Sequence, residues 1–356
     1  NPVRNITFRG IEFSNTNWTY PNKSGMHDIQ ANTIYPTSDL YTEDSQYRKG
    51  YKKLRIPAAI CAEFTQNISI QDCIFKNIGG TGTAFLMGND GVNIIGNQFF
   101  DIAGSAIEIG DDYYRARDSR MYPKDITVSN NYIHNVADEY RGGCGITAMY
   151  VDGIRIEHNY IKDVPYSGIS VGWGWDNSPP TQHRNFSVKY NVVENAMQEL
   201  YDGGFIYSPD PINGTNIMEG NVLIGNEVTM NPGSQQQGFY FDASSSNWNV
   251  KNNVVLNIPS NYAVRDSAKI TIENFYTNNT AKIIWSDSSS DKQLIEKNFI
   301  SDDSADWSVD YDKKAFNVIK NAGLENEYKN MMKSEQFEMY YTTPNYHSND
   351  DGTDKE

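Results

Sequence analysis

The chain has 356 residues, 38% of them hydrophobic, which suffices for one large core or two ordinary ones and excludes a disordered chain. Its net charge of -15 argues against nucleic acid and anionic membranes as partners, because a polyanion would meet net repulsion. No run of about 18 apolar residues occurs, so no spanning helix is expected. Cys61, Cys73 and Cys144 lack CxxC spacing, which signals neither zinc nor a dense disulfide framework. Tyrosine (24) and tryptophan (6) are abundant, and their flat rings with polar tips suit carbohydrate surfaces.

From its start the chain reads as strand, "VRNITFRGIEF", with no leader segment, as though its natural beginning had been removed. An insertion over residues 14–57 carries Trp18, Tyr20, His27 and Gln30 and separates this first apolar copy from a second, "ISIQDCIF". A repeat then takes over. "VNIIGNQF", "ITVSNNYI", "IRIEHNYI", "FSVKYNVV", "IMEGNVLI" and "WNVKNNVV" place an asparagine at 97, 131, 159, 191, 221 and 253, in steps of 34, 28, 32, 30 and 32. Between these anchors a further apolar strand recurs: "TAFLMG", "SAIEIG", "GITAMY", "SGISVG", "GGFIYS", "QGFYFD". Two or three short strands per coil, turning at Gly and Asn, predict an all-β right-handed parallel β-helix of about eight or more coils with inserted loops. The asparagines are expected at tight corners, tolerating left-handed backbone and laddering from coil to coil about 4.8 Å apart.

Insertions after Gly110, Gly172 and Ser208 are expected to crowd one face, with residues 14–57 wrapping over the same side. The solenoid is expected to fill residues 1–310. Helix-forming residues at helical spacing predict a C-terminal helical cap over the open end, 311–334, followed by a frayed tail, 335–356.

The segments "PYSGISVGWGWD", "YDGGFIY", "GFYFDASSSN" and "FRGIEFSNTNW" with "DIQAN" resemble glycoside hydrolase family 141, a β-helical family with α-L-fucosidase and xylanase members. The resemblance covers most of residues 1–280. It implies cleavage of glycosidic bonds in plant or host glycans by a secreted or periplasmic enzyme, with two aspartates on neighbouring coils as the catalytic pair. By motif these fall on Asp202 and Asp242.

The residues themselves permit that chemistry. Glycoside hydrolysis needs one carboxyl to protonate the leaving oxygen and another to attack carbon or activate water. Asp202 precedes Gly203 and Gly204, which let backbone approach closely; it also reads as a turn-initiating Asp. Asp242 ends a strand before "ASSSN" and equally reads as a turn cap. Aligning Gly204 with Gly238 puts Asp202 before its strand and Asp242 after its own, an offset that requires a bulge or irregular corner. That offset pulls towards inversion and the family's close pair towards retention; retention is the expectation. Glu108 and Asp111, with Asp112, are competing acids. Trp173 and Trp175 are expected to stack on sugar, Asp176 to position a sugar hydroxyl or an acid, and Tyr207, Tyr240, His183 and Arg265 to form the rim.

No cofactor is required, although acid clusters leave room for structural calcium. Two other classes stay open: a calcium-dependent polysaccharide lyase, which needs a basic residue, and a noncatalytic glycan-binding module. The oligomeric state is not encoded in any motif.

Overall fold

A computed structural model describes residues 2–18, 26–29, 33–36, 54–111, 118–174, 182–226, 236–285, 294–302 and 313–332. The fold is a right-handed parallel β-helix whose coils each contribute strands to three faces. The first face runs through Gln66–Gln71, Asp90–Ile95, Lys124–Ser129, Asp152–Glu157 and Arg184–Lys189. Ile74–Ile78, Gln98–Ile102, Tyr132–Val136 and Tyr160–Lys162 belong to the second. The third is a separate nine-stranded sheet from Ala58–Ala62 to Ile283–Trp285. All pairings between coils are parallel. The insertion adds a small antiparallel sheet of Met26–Ile29, Thr33–Pro36 and Leu54–Arg55.

Alternation along each strand decides what faces inward. Ile68 and Ile70, Val92 and Ile94, Ile126 and Val128, Ile154 and Ile156 are all buried and stand opposite one another on successive coils. Because side chains have period two, a slip of one residue would turn every one of these outward, so burial fixes the register. Phe13, Phe75 and Phe99 stack in the same way, with ring centroids 4.8 and 4.7 Å apart.

The asparagine ladder forms inside the corner between the first and second faces. Asn97, Asn131, Asn159, Asn191, Asn221 and Asn253 are fully buried, and each Nδ2 from Asn97 to Asn221 donates to the next Oδ1 at 2.9 to 3.0 Å. Each Oδ1 from Asn131 onward also accepts the preceding ladder residue's backbone N–H. One expectation changes here. The left-handed residue is not the ladder asparagine but the residue before it: Gly96, Asn130, His158, Tyr190, Gly220 and Asn252 all have φ between 54° and 71°. The turn is made by that neighbour, which frees the ladder amide to point inward. Two further left-handed columns occur, one through Asn5, Asn67, Gly91, Asp125, Gly153 and Asn185, the other through Asn15, Asn77, Asp101, Asn135, Asp163 and Asn195.

The C-terminal helix, Lys313–Asn321, forms, but it lies on the flank of the solenoid rather than over its open end. Ala315 and Ile319 pack on Val192, Val222, Val254 and Tyr276, an outward column in register on consecutive coils. The chain then runs back along that flank. Gly323 N donates to Tyr190 O, Asn130 and Glu325 exchange two hydrogen bonds, and Tyr328 lies against Gly96. Its seat follows from this outward column being apolar: burying it removes hydrocarbon from water. The tail, 335–356, is outside the described residues, and no helix among them is long and apolar enough to cross a membrane.

The ladder is testable at Asn191. Its Oδ1 accepts from Asn159 N and Nδ2, and its Nδ2 donates to Ile156 O and Asn221 Oδ1. Asn191→Ala strands several buried polar groups and is expected to cost about 3 kcal/mol, read as a lower denaturation midpoint. A loss below about 0.5 kcal/mol, as at an ordinary surface site, would show that the ladder carries no stability.

Candidate active site

The strands Gly203–Pro209 and Gln236–Asp242 lie side by side on the third face, with Tyr207 opposite Tyr240 and Pro209 opposite Asp242. Gly204 pairs with Gln237, one residue from the alignment with Gly238 expected from sequence. Asp202 thus sits before one strand and Asp242 at the end of the next. Two tyrosines bridge the offset. The Tyr240 hydroxyl donates to Asp202 Oδ1 at 3.4 Å, and the Tyr207 hydroxyl donates to Asp242 Oδ2 at 2.8 Å. Their rings are 5.4 Å apart.

The irregular corner that this geometry needs is at Asp202, whose φ is +60°. Tyr166 braces it from behind, its hydroxyl donating to the Asp202 carbonyl at 2.9 Å. Gly203 is glycine for a steric reason: a Cβ there would stand 2.5 Å from the Tyr166 ring. Asp202 itself is exposed, as is Tyr201 beside it, at 67%.

Asp242 has the opposite environment and is only 4% exposed. Oδ1 accepts the Ala243 N–H at 2.8 Å and faces the Arg265 guanidinium at 3.8 Å. It caps its turn with one oxygen and takes the tyrosine with the other, so the turn role and a chemical role are compatible. Burial pushes its carboxyl above the usual aspartate range, and the Asp202 charge adds to this. Tyr207, the Ala243 N–H and Arg265 oppose it. The Tyr240 phenol is pushed up too, by burial and then by Asp242 and Asp202. Arg265, exposed on the rim, bonds the Tyr240 hydroxyl and is held more firmly protonated by it and by Asp242.

Other sequence-predicted residues lie elsewhere. Glu108 is buried and ion-paired to Arg55, which also holds Asp111 at 3.0 Å. Glu108, Thr147, Ser170 and Tyr207 occupy successive rungs of one column, so Glu108 stands about 14 Å from the tyrosine pair. It is too far away to serve as a partner acid. Trp173 does not present a stacking face: it is 5% exposed and packs with Tyr122, Met149 and Tyr150. His183 is not on the rim. It is buried against Tyr150 and Phe186, with Nε2 bonded to Pro211 O at 2.7 Å. Tyr207 and Tyr240 are likewise floor rather than rim, because alternation turns them outward onto a covered part of the sheet. Trp175, Asp176 and Asp112 fall outside the described residues. Among the described residues no three His, Cys, Asp or Glu side chains converge to hold a metal ion.

Sequence reasoning passed over Tyr166 and Tyr201. They stand inside the quoted segments "PYSGISVGWGWD" and "YDGGFIY", and the aromatic directly before an acid and two glycines was the available signal.

The chain belongs to the right-handed β-helix family. The family model "Right handed beta helix region" matches residues 3–177 and again 58–261. A solved structure named "Glycoside hydrolase" is similar at 23% identity with a TM-score of 0.62; the match covers 92% of this chain and 52% of that one. This chain therefore spans about half of that protein's length, and the likeness is one of fold. No curated protein matches.

Tyr207→Phe removes a hydrogen bond that favours ionised Asp242, so the Asp242 carboxyl is expected to titrate at higher pH in the variant. Carbon-13 NMR of labelled aspartate follows it directly, and a fall would contradict the arrangement.

Proposed function

We propose that this solenoid is the catalytic unit of a glycoside hydrolase acting outside the cytoplasm on plant or host glycans, with Asp202 and Asp242 as its carboxylate pair. The observation that carries the reading is the joining of these two acids, from adjacent coils, by Tyr207, Tyr240 and Arg265. The motif resemblance to family 141 and the fold shared with a glycoside hydrolase support it.

The environments divide the labour. Asp242, desolvated and raised, holds a proton near neutral pH better than an ordinary aspartate and donates it to the leaving oxygen. Asp202, at the open side, faces the anomeric carbon as nucleophile. Tyr240 steadies Asp202 as a donor; its raised phenol argues against a tyrosine nucleophile. Arg265 strengthens positive charge beside Asp242 and so favours its ionised form in the second step. The same raised guanidinium disfavours a lyase in which Arg265 would be the base. Tyr201 supplies an exposed ring on which a pyranose C–H face can rest.

Aryl fucosides, xylosides, galactosides and arabinosides form the screen. Asp202→Asn is expected to keep the fold and lose most turnover on every substrate cleaved. Asp242→Asn should lose about 10²- to 10⁴-fold on poor leaving groups and much less on dinitrophenyl glycosides, which need no proton. NMR of the first-formed anomer is expected to show retention; an inverted product would make Asp202 a base acting on water. Wild-type rates in either variant would remove that residue from the mechanism, and glycan binding without turnover in the native protein would favour a binding module.

Tyr201→Ala is expected to raise KM several-fold with kcat nearly unchanged, as for a contact made equally in ground and transition states. An unchanged KM would take Tyr201 out of the site.

A further inference from the structure

A second feature lies on the first face, on a different sheet from the carboxylate pair. There a cavity of about 280 Å³ opens between coils, lined by Gly214, Thr215, Asn247, Asn249, Lys269, Thr271 and Ile295. Two departures from the repeat make it. The first is an extra residue. Arg184 bridges to Asn213 and Ser187 pairs with Ile217, so three steps on one coil oppose four on the next, and Thr215 is the surplus position. The ladder bulges there and resumes regular pairing from Asn216 on, leaving a depression on the outer surface of the face.

The second departure is Lys269. It stands opposite Asn247 in the left-handed column of Asn5, Asn67, Gly91, Asp125, Gly153, Asn185, Gly214 and Asn247, and its φ is +55°. Every other member is Asn, Asp or Gly, the residues that tolerate this backbone. A lysine is costlier there than Asn, Asp or Gly, and within this column it alone departs from those types, although the ladder corner also holds His158 and Tyr190 in the left-handed region. Lys269 is exposed and carries positive charge in a chain of net charge -15. Around it stand hydroxyls from Thr215 and Thr271, the Asn249 amide and the half-exposed face of Ile295.

A cation, several neutral hydrogen-bonding groups and one small apolar surface together match a polyhydroxylated anion with a C–H face. We propose that this cavity is a noncatalytic binding site for a uronic acid residue, its carboxylate on Lys269 Nζ, its hydroxyls on Thr215, Asn249 and Thr271, and its apolar edge against Ile295. The size suits one sugar unit rather than an extended chain. Nothing in this assignment depends on the glycosidase reading, since the cavity is on the first face, whereas Asp242 ends a strand of the third and Asp202 precedes one.

The test is NMR titration of the Asp202→Asn/Asp242→Asn double variant with sodium glucuronate and sodium galacturonate, and with glucose as the neutral control. The double variant keeps this result separate from the fate of the catalytic proposal. Shifts are expected at Thr215, Asn249 and Thr271 with one of the uronates, weakening as salt rises, and about tenfold weaker or absent with glucose. Lys269→Asn gives the column its usual residue type. It is expected to melt at a higher temperature than its parent while losing uronate binding, and Thr271→Val should weaken binding without that gain. Absence of binding by both uronates, equal binding of glucose, uronate binding that survives Lys269→Asn, or a lower melting temperature in that variant would each overturn the proposal.

Discussion

Register between coils is the constraint on which the whole molecule depends, and the buried asparagine ladder is its most specific enforcer. Apolar stacking forbids a slip of one residue but would tolerate a slide of two, which keeps the same face inward and replaces one isoleucine by another with little loss. An amide that must accept a backbone N–H and donate to a backbone carbonyl on the preceding coil, while donating to the next ladder oxygen on the following one, has no such freedom: a slip leaves polar groups buried without partners. Each coil is thereby indexed to the next at one point, and the three faces follow from it.

The carboxylate pair inherits that indexing. Tyr207 meets Tyr240 only because their coils are in phase, and the two hydroxyls then reach in opposite directions, one to each aspartate. Adjacent carboxylates in similar surroundings would compete for one proton. Here burial separates them instead, one acid buried against Tyr207 at the end of its strand and one at a left-handed corner open to solvent. A single pair of neighbouring strands thus yields two different chemical environments.

Deviations from the repeat carry the information that the repeat itself lacks. A regular coil corner mostly takes Asn, Asp or Gly, with His158 and Tyr190 as exceptions beside the ladder. Where three valines and a tyrosine line up on the flank, a helix covers them. Where Asp202 adopts the left-handed conformation before two glycines, a tyrosine fills the space and braces its carbonyl. Lys269 and the surplus Thr215 are departures of the same kind.

The sequence by itself determined the solenoid, because a spaced asparagine with alternating apolar neighbours is a local pattern that repeats in the same physical environment on every coil. It also marked Asp202 and Asp242 as acids beside glycines and turns. What it could not determine was which aromatic rings surface and which sink. Trp173 and His183 stand in polar-looking loops, yet both are buried by contacts with residues from other coils. Tyr207 alternates outward, but its face is covered, so periodicity gives its direction and not its exposure. The cap was legible as a helix, and its seat on the flank was not, since that depends on four residues brought into line only by stacking. Local pattern fixes conformation; contacts between residues distant in sequence fix burial, and burial is what pushes the Asp242 carboxyl above the usual aspartate range.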